Sequence, residues 1–461
     1  MLPLPLLRPS GEHHSLDRQP VVAVDGSPLA EVHMAPAMLM PRVVDELREA
    51  DDDDDQGHRL AVLSRAGELF ETATVGGQTP EGYSANQARC SGVPVNVVRR
   101  SLGRLRDETG SMAETVAAQR PRGTRRVEPV AGPTTANCDA AAAWVQKARV
   151  LGVIAPSNHP ATHAGWLQAL ALGYRVAVRP GRRDVFTPWR LAHSLFEAGL
   201  RRGALAILPG THAAADALVE AVDLALVYGN ESTVERYRGA ARVMVRGPGR
   251  SKILVDDALS DTTLDFLADA VAADAGVRCT NASAILVAGD HVSVAEALAE
   301  RLARLPSLPP TDKSAVLPVL PAAEARAVRA WLDARLDGAT DLVTERGGGP
   351  VADLGDGTAA LRPAVITSDR LDHPHLGTEL PFPCVWVGPW CAKQGLGPLK
   401  RSLAVTLLTA NETLVRSALV EPSIRRVLWG PVPAWSSGPG LPHDGHLGQF
   451  LMEAKAFAVY Q

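Results

Sequence analysis

The residue best suited to covalent chemistry in this sequence is Cys279, in the stretch "GVRCTNASA". A thiolate attacks carbonyl carbons, but a lone Cys is more often a packed apolar side chain, because free Cys is among the most buried residue types. Arg278 precedes it, and thiols beside cations or helix termini ionise more readily than free thiols. Cys279 is therefore a candidate nucleophile whose role depends on the groups placed around its sulfur.

A second residue with chemical potential is Asn158, in "APSNHPATH". Attack on a carbonyl creates an oxyanion, which needs hydrogen-bond donors already aimed at it. A side-chain amide such as that of Asn158 can serve, although the same residue could instead cap a helix that begins at Pro160. His159 and His163 are four residues apart, but no third ligand accompanies them, so a metal site is not predicted.

Composition narrows the class of protein. The chain has 461 residues, of which 46% are hydrophobic and 21% charged, and its net charge is -4. These values predict two or three soluble domains and give no case for a nucleic-acid or acidic-membrane partner. The five cysteines are scattered, which favours a reduced, cytoplasmic location over a disulfide framework. The N-terminal stretch lacks the basic start of a signal peptide, and no apolar run is long enough to span a membrane.

The order of periodic segments predicts an α/β protein. We expect the first 40 residues to be irregular, most of the following stretch to be helical, and the acidic run 51–55 to be a solvated loop. Short apolar strands then alternate with helices, which is typical of parallel βαβ units that bind ligands at their strand carboxyl ends. The predicted parts are a helical N-terminal part (1–118), a hairpin (119–150), a first α/β domain (151–251), a second (252–428) and a C-terminal segment (429–461).

The stretch "GVIAPSNHPATHAGWLQALALGYRVAVRPGRRDVFTP" resembles the aldehyde dehydrogenase superfamily. In that family one strand ends in Pro-x-Asn and the next in Lys-Pro-Ser-Glu, which match Pro156-Ser157-Asn158 and Arg179-Pro180-Gly181-Arg182 here. The likeness continues in order through "GVRCTNASAILV", "GTELPFPCVWVG" and "HLGQFLMEAKAF". It covers about 130–461, and "YGNESTVERYR" is similar to the acyl-CoA (thioester) reductase branch.

This resemblance implies an aldehyde dehydrogenase-like fold. We expect two Rossmann-like α/β domains with parallel sheets, the first binding a dinucleotide and the second carrying the nucleophilic Cys. The helical N-terminal part is expected to pack on the cofactor domain. The hairpin and the C-terminal tail, with Glu453 and Lys455, would form a small oligomerisation arm, so the resemblance implies a homodimer or a homotetramer.

The resemblance also assigns roles to residues. It makes Cys279 the nucleophile and Asn158 the oxyanion donor, with Glu379 holding the ribose of nicotinamide. Arg179, Arg182 and Arg183 stand where the family carries Lys and Glu near the adenine ribose, and Arg is a natural partner for phosphate. NADP is therefore favoured over NAD. The remaining cofactor-binding candidates are Pro156, Ser157, Gly229 and Ser232.

One departure from the family concerns water activation. The family's general-base Glu is replaced by Arg246 in "RGPGRSKILV", and a guanidinium stays protonated and cannot accept a proton. The acyl-enzyme then lacks a base that could activate water for hydrolysis. A thiol such as coenzyme A is more acidic than water, so it needs less help from a base to attack the acyl group. The prediction is reduction of an acyl thioester, carried on coenzyme A or an acyl carrier protein, to an aldehyde, or the reverse. The alternatives are a hydrolytic aldehyde dehydrogenase with another base and a degenerate homologue that serves as a scaffold.

Overall fold

The computed structural model describes residues 2–51, 55–122, 124–126, 139–256 and 259–459. The strands are β1 (Leu2–Leu4), β2 (Leu6–Arg8), β3 (Gly11–His13), β4 (Arg18–Val22), β5 (Pro28–His33), β6 (Thr124–Arg126), β7 (Asp139–Gln146), β8 (Val150–Ile154), β9 (Arg175–Arg179), β10 (Leu205–Ile207), β11 (Leu224–Tyr228), β12 (Val243–Arg246), β13 (Ser251–Val255), β14 (Ala282–Val287), β15 (Val319–Pro321), β16 (Thr340–Asp341), β17 (Val351–Asp353), β18 (Thr358–Leu361), β19 (Ala364–Thr367), β20 (Cys384–Pro389), β21 (Ser402–Leu408), β22 (Ile424–Trp429) and β23 (Met452–Val459).

The helices are α1 (Leu39–Glu49), α2 (Gln56–Thr72), α3 (Pro80–Ser91), α4 (Val95–Gly110), α5 (Met112–Gln119), α6 (Ala164–Ala171), α7 (Phe186–Glu197), α8 (His212–Ala221), α9 (Glu231–Arg236), α10 (Asp261–Ala272), α11 (His291–Ala303), α12 (Ala322–Asp333), α13 (Glu412–Val420) and α14 (Leu447–Leu451). Short 3-10 turns cover Pro160–His163, Arg202–Ala204, Ala273–Gly276, Ala392–Gln394 and Gly397–Leu399, and a π turn covers Thr344–Gly348. Over the described part of the chain, no helix combines the length and apolarity needed to cross a membrane.

The first of two large sheets has the strand order β12-β11-β8-β9-β10-β2-β3. Its first five strands run parallel, because helices connect successive strands from β8 to β12 and return the chain across the sheet. Leu151 and Val153 pack on one side, whereas Val150 packs on the other. Both faces are therefore buried, as expected for a doubly wound sheet.

The second sheet has the order β16-β19-β20-β14-β13-β21-β22, and all its strands are parallel except the edge strand β16. Alternate residues of β13, an interior strand, face two separate cores, with Ile253 and Val255 on one side and Leu254 on the other. The expected pair of Rossmann-like α/β domains with parallel sheets is confirmed. The nucleophile stretch lies on the loop that enters β14.

The expectation of an irregular N-terminus is wrong. Residues 2–33 contain five short strands, and β2 joins the edge of the first sheet antiparallel to β10. These strands form because Leu4, Leu6 and Leu7 are almost completely buried, which outweighs the nearby prolines. The predicted helical stretch is confirmed as α1 to α5. In the acidic run, Asp55 caps α2 by accepting from His58 N at 2.7 Å, and 52–54 lie outside the described residues.

The expected hairpin at 119–150 is also wrong in its pairing. β6 runs parallel to β7, and the antiparallel partner of β7 is the C-terminal strand β23, through eight residue pairs from Met452↔Gln146 to Val459↔Asp139. The tail therefore takes the position that a hairpin strand would occupy. Residues 127–138, which include Cys138, lie outside the described part of the chain.

Candidate active site

Cys279 lies on the loop between the 3-10 turn Ala273–Gly276 and β14. The loop borders a cavity of about 230 Å³ whose lining includes Cys279, Asn158 and Glu379. These three residues come from different parts of the sequence, and each was singled out by its motif. The fold thus gathers a thiol, an amide and a carboxyl group around one space.

The turn before Cys279 has an unusual backbone. Asp274, Ala275 and Gly276 have φ angles of 48°, 64° and 69°, in the left-handed region that non-glycine residues rarely adopt. A Cβ on Gly276 would stand 2.4 Å from the backbone nitrogen of Pro383, so only glycine fits there. Left-handed residues other than glycine cost about 1–3 kcal/mol each, and other contacts must offset this strain.

The offsetting contacts converge on Asp274. Its buried carboxylate accepts hydrogen bonds from Arg100 and Arg104 of α4, each at 2.8 Å, and from Arg278 at 3.0 Å. Charge-assisted hydrogen bonds of this kind are stronger than neutral ones. Burial opposes ionisation, but His159 and the guanidinium groups of Arg100 and Arg278 together hold the pKa of Asp274 far below its ordinary value. Arg278 therefore points inward, where it also borders the cavity.

The two histidines of "NHPATH" are engaged separately. His159 accepts from Ala161 N at 3.1 Å through Nδ1, so its proton resides on Nε2, which faces Asp274 at 3.3 Å. Burial and the neighbouring guanidinium groups of Arg278 and Arg104 lower the pKa of His159 to about 4. His163 contacts Asp184 and Trp166. Among the described residues, no group of three or more His, Cys, Asp or Glu could hold a metal ion.

The nearest ionisable partner of the sulfur was not predicted from the sequence. His443 Nε2 lies 3.5 Å from Cys279 Sγ, and Asp444 Oδ1 lies 3.8 Å from the other ring nitrogen of His443. Arg246 Nε is 3.2 Å from the same Asp444 oxygen, and its Nη1 donates to the hydroxyl of Tyr228 at 3.2 Å. The only sequence signal was an adjacent His-Asp pair in the Gly- and Pro-rich segment before the tail. His443 is therefore a titratable neighbour of the sulfur that the sequence motifs did not single out.

The charges in this chain of contacts support one another. Partial burial lowers the pKa of His443, but the Cys279 sulfur and the Asp444 carboxylate outweigh it and raise the pKa to about 9. Burial is likewise outweighed at Arg246, where Tyr228 and Asp444 hold the pKa above its ordinary value. Arg246 is thus a permanent cation, as the sequence predicts. A protonated His443 beside the sulfur is an arrangement that stabilises a thiolate.

Asn158 lies on the same cavity. Its Nδ2 donates to the carbonyl of Val277 at 3.0 Å, and its buried Oδ1 has no hydrogen-bond partner within the described residues. The 3-10 turn that follows is capped by the side chain of His159, so the alternative interpretation of Asn158 as the cap is wrong. One Nδ2 proton remains for a ligand, as an oxyanion donor requires.

Glu379 reaches the cavity from the connection between β19 and β20 of the second sheet. Its carboxylate accepts from the backbone N–H of Arg250 at 2.8 Å and from that of Gly249. Burial raises the pKa of Glu379, although these two donors oppose the change. A Cβ on Gly249 would stand 2.0 Å from the carbonyl oxygen of Cys279 and 2.7 Å from Glu379 Oε1. This glycine therefore lets the loop before β13 approach both the Cys279 loop and Glu379 closely.

The remaining cofactor candidates lie where the parallel strands of the first sheet end. Arg179 is buried and donates twice to the carbonyl of Gly210, at 3.0 and 2.8 Å, whereas Arg182 is exposed. Ser157, which follows Pro156, accepts from the backbone of Arg183 at 3.2 Å. Beyond β11, Gly229 N donates to the carbonyl of Arg246 at 3.1 Å, and Ser232 donates to Asn230 at 2.7 Å.

This set of residues fits a nicotinamide dinucleotide. Arg182 offers a free-standing positive charge at the strand ends, as a phosphate group needs. Asn158 leaves a buried acceptor unpaired beside the sulfur, where a polar group of a ligand would satisfy it. Glu379 brings a carboxyl group to the same cavity. The candidates are thus distributed from the strand ends of the first sheet to the nucleophile.

The other cysteines do not share the setting of Cys279. Burial raises the pKa of both Cys90 and Cys384 to about 12, so these thiols stay protonated at neutral pH. Cys384 borders the cavity from β20, and Cys391 is exposed. Among the described cysteines, Cys279 is the one with a cationic neighbour at contact distance.

Comparison with known proteins identifies the family. The profile described as "Aldehyde dehydrogenase family" matches residues 20–389. The malonate-semialdehyde dehydrogenase of Halalkalibacterium halodurans is 30% identical over 163 residues, which are 33% of this chain and 33% of that protein. The chain therefore matches about a third of the length of this relative.

Solved structures share the whole architecture. An indole-3-acetaldehyde dehydrogenase in complex with NAD+ superposes with a TM-score of 0.82 at 19% identity, over 100% of this chain and 97% of the other. The NADP-dependent glyceraldehyde-3-phosphate dehydrogenase of Bacillus halodurans, complexed with NADP, gives 0.79 at 17% identity over 100% and 99%. With the family profile spanning most of its length and this fold around a cysteine loop, the chain belongs to the aldehyde dehydrogenase family.

Proposed function

We propose that this protein is an NAD(P)-dependent oxidoreductase that interconverts an acyl thioester and an aldehyde through a thioester on Cys279. The observation that carries the proposal is Arg246, a buried cation paired with Asp444 and Tyr228 at the position matched to the family's water-activating Glu. A permanent cation cannot take a proton from water. A thiol acceptor is more acidic than water, so it suits this site better.

The proposed reaction begins at the sulfur. The Cys279 thiolate attacks the acyl carbon of the incoming thioester, a C–S bond forms, and the substrate's own C–S bond breaks to release the thiol. The oxyanion formed during attack is stabilised by Asn158 Nδ2 and by the backbone N–H of Cys279. Hydride delivered to the acyl carbon and loss of the Cys279 sulfur then release the aldehyde and restore the thiolate.

A bound nicotinamide dinucleotide would supply the hydride. We assign Glu379 to the ribose of nicotinamide, and Pro156, Ser157, Gly229 and Ser232 to the surroundings of the dinucleotide at the strand ends. NADP is proposed over NAD, because the exposed guanidinium of Arg182 offers a phosphate partner near the adenine end. Arg179 supports this edge by holding the Gly210 carbonyl.

The substrate proposed here carries a carboxylate. Arg278 lines the cavity beside the nucleophile and shares the single carboxylate of Asp274 with Arg100 and Arg104, so its guanidinium is a cation that a substrate carboxylate could contact. Relatives named malonate-semialdehyde dehydrogenases act on an aldehyde that bears such a group. The acyl group would enter on coenzyme A or, as a variant of the same chemistry, on an acyl carrier protein.

A second candidate function is hydrolytic oxidation of an aldehyde. His443 favours it, because an imidazole 3.5 Å from the sulfur could recruit water once the acyl group is in place.

A catalytically degenerate scaffold is the third alternative. In all three cases we propose a cytoplasmic homodimer or homotetramer in which the β23-β7-β6 sheet serves as the arm between subunits.

The test is to mix the purified protein with NADPH and a panel of coenzyme A thioesters, with Cys279→Ala as control. We expect NADPH consumption that is greatest for malonyl-CoA and is abolished by the substitution. Equal consumption by the variant would rule out the assigned nucleophile. Steady NADPH production from an aldehyde and NADP+ without thiol would select hydrolysis, and absence of nicotinamide binding in calorimetry would select the scaffold.

A further inference from the structure

We propose that His443, carried by the C-terminal segment, is a catalytic acid–base residue for acyl transfer, and that Asp444 and Arg246 are its positioning residues. This inference rests on the proposed thioester on Cys279, and it assigns the proton-transfer function that the replaced Glu leaves open. Its basis is a continuous chain of contacts from Tyr228 to the sulfur.

The geometry gives each member a definite part. His443 Nε2 lies 3.5 Å from Cys279 Sγ, and its Nδ1 faces the Asp444 carboxylate at 3.8 Å. Arg246 lies 3.2 Å from the same carboxylate oxygen, so Asp444 is held between a fixed cation and the imidazole. A nucleophile, a base and a third group that orients the base form a recognised catalytic arrangement. Contacts of this kind are often longer in the absence of substrate.

The charge on the sulfur decides which form His443 takes. When the sulfur carries its negative charge, that charge and the Asp444 carboxylate favour the imidazolium and raise the pKa of His443. Acylation converts the thiolate into a neutral thioester and removes one of these two charges. Arg278 and Glu108 are further charged groups near this site. His443 therefore loses its proton more easily in the acyl-enzyme, when a base is needed.

The proton balance of the step follows directly. When the thiolate attacks an acyl thioester, the His443 imidazolium gives its proton to the departing thiolate and becomes neutral. In the reverse transfer, neutral His443 takes the proton of the incoming thiol, whose sulfur bonds to the acyl carbon. The bond between that carbon and Cys279 Sγ then breaks, which restores the thiolate–imidazolium pair. No oxidant or reductant is required for either transfer.

His443 is also accessible to the acceptor. Its side chain is 43% exposed, and the sulfur lies on a half-buried loop residue rather than in the core. A thiol can therefore approach the acyl carbon on the side of the imidazole. The segment that carries His443 lies between β22 of the second sheet and α14. The position of the imidazole therefore depends on the path of this connecting segment.

The proposal is tested without nicotinamide, using p-nitrophenyl acetate as the acyl donor and coenzyme A as the acceptor. The wild-type protein should release one equivalent of nitrophenolate in a burst, followed by slower turnover that rises with added coenzyme A. His443→Gln should still be acylated but should lose about 100-fold or more in deacylation, as expected for removal of a general base. Added imidazole should restore much of the rate in His443→Ala.

Controls separate this inference from the proposed function. His446→Gln, three residues away on the same segment, should behave as wild type, and melting temperatures establish that each variant is folded. The proposal would be overturned if His443→Gln were deacylated at the wild-type rate, or if His446→Gln lost as much deacylation rate as His443→Gln. A wild-type protein without a burst would count against Cys279 itself. A normal burst and His443-dependent turnover, without any NADPH oxidation, would instead refute the reductase function while leaving the assignment of His443 intact.

Discussion

The carboxylate of Asp274 accepts a hydrogen bond of 3.0 Å from Arg278 across the turn that leads to the nucleophile. Within this turn, Asp274 and Ala275 adopt left-handed φ angles of 48° and 64°. The same carboxylate is bonded by Arg100 and Arg104 of α4. The backbone strain in the turn before Cys279 is therefore offset by charged side chains of α4, a helix far away in the sequence.

Asp274→Asn should destabilise the protein and misplace the sulfur. Removing one partner of a buried ion pair costs about 3–5 kcal/mol, because it leaves charge without compensation. We expect a loss of this size in the free energy of unfolding, measured by denaturant titration, together with slower alkylation of Cys279. The matched control is Asp269→Asn, an exposed residue of the neighbouring α10, which should change neither quantity. An unchanged stability of Asp274→Asn would refute the role of the network.

The stability of the protein should fall on mild acidification because of His159. Its pKa is lowered to about 4 in the folded protein and is about 6.5 in an unfolded chain. The unfolded chain therefore binds the proton first as pH falls, and the loss of stability begins near pH 6.5 and is complete below pH 4. Linkage gives a loss of about 2 kcal/mol by pH 5.

The measurement is the free energy of unfolding at pH 6.5 and pH 5, a range in which few ordinary carboxylates titrate. His159→Asn retains an acceptor for the Ala161 N–H but cannot be protonated, so it should lose about 1.5 kcal/mol less than wild type over this interval. His446→Gln serves as the control and should follow wild type. An equal loss of unfolding free energy in His159→Asn and wild type between pH 6.5 and pH 5 would contradict the assignment to His159.

The sheets and the nucleophile loop could be predicted from the sequence because their signals are local. Buried parallel strands have continuous apolar runs, and Cys279 and Asn158 lie in short motifs in the expected order. The N-terminal strands were missed because each spans only three to six residues and prolines interrupt them. Their formation depends on burial against distant elements, which no local pattern records.

The acid–base partner of the sulfur was missed for a similar reason. His443 is 164 residues from Cys279, in a segment rich in Gly and Pro whose course cannot be inferred from periodicity. Arg179 illustrates a further limit, because its motif indicates a cationic ligand while its buried guanidinium donates to the Gly210 carbonyl. Sequence position suggests which residues reach a site, but burial decides which of their atoms remain available.

Arg182→Glu should weaken binding of NADPH more than that of NADH. The substitution replaces an exposed cation at the strand ends with an anion that repels a 2′-phosphate. We expect the Kd for NADPH, measured by calorimetry, to rise by about tenfold or more, equivalent to about 1.4 kcal/mol, with little change for NADH. Lys393→Glu makes the same charge change at an exposed residue of the 3-10 turn Ala392–Gln394 and should leave both affinities unaltered. Equal weakening of NADH and NADPH would contradict a phosphate contact.

Gly249→Ala should impair the site far more than it impairs the fold. The new Cβ would stand 2.0 Å from the carbonyl oxygen of Cys279 and 2.7 Å from Glu379 Oε1, and a backbone carbonyl cannot move aside without moving the nucleophile. Displacement of a reacting group by about 1 Å can cost about 100-fold in rate, so we expect a comparable fall in the acylation burst with p-nitrophenyl acetate. Gly110→Ala, where a Cβ meets nothing within 4 Å, should retain the wild-type burst. A Gly249→Ala protein that acylates at the wild-type rate would show that the loop carrying Cys279 tolerates displacement, and the close packing of Gly249 against it would then have no catalytic consequence.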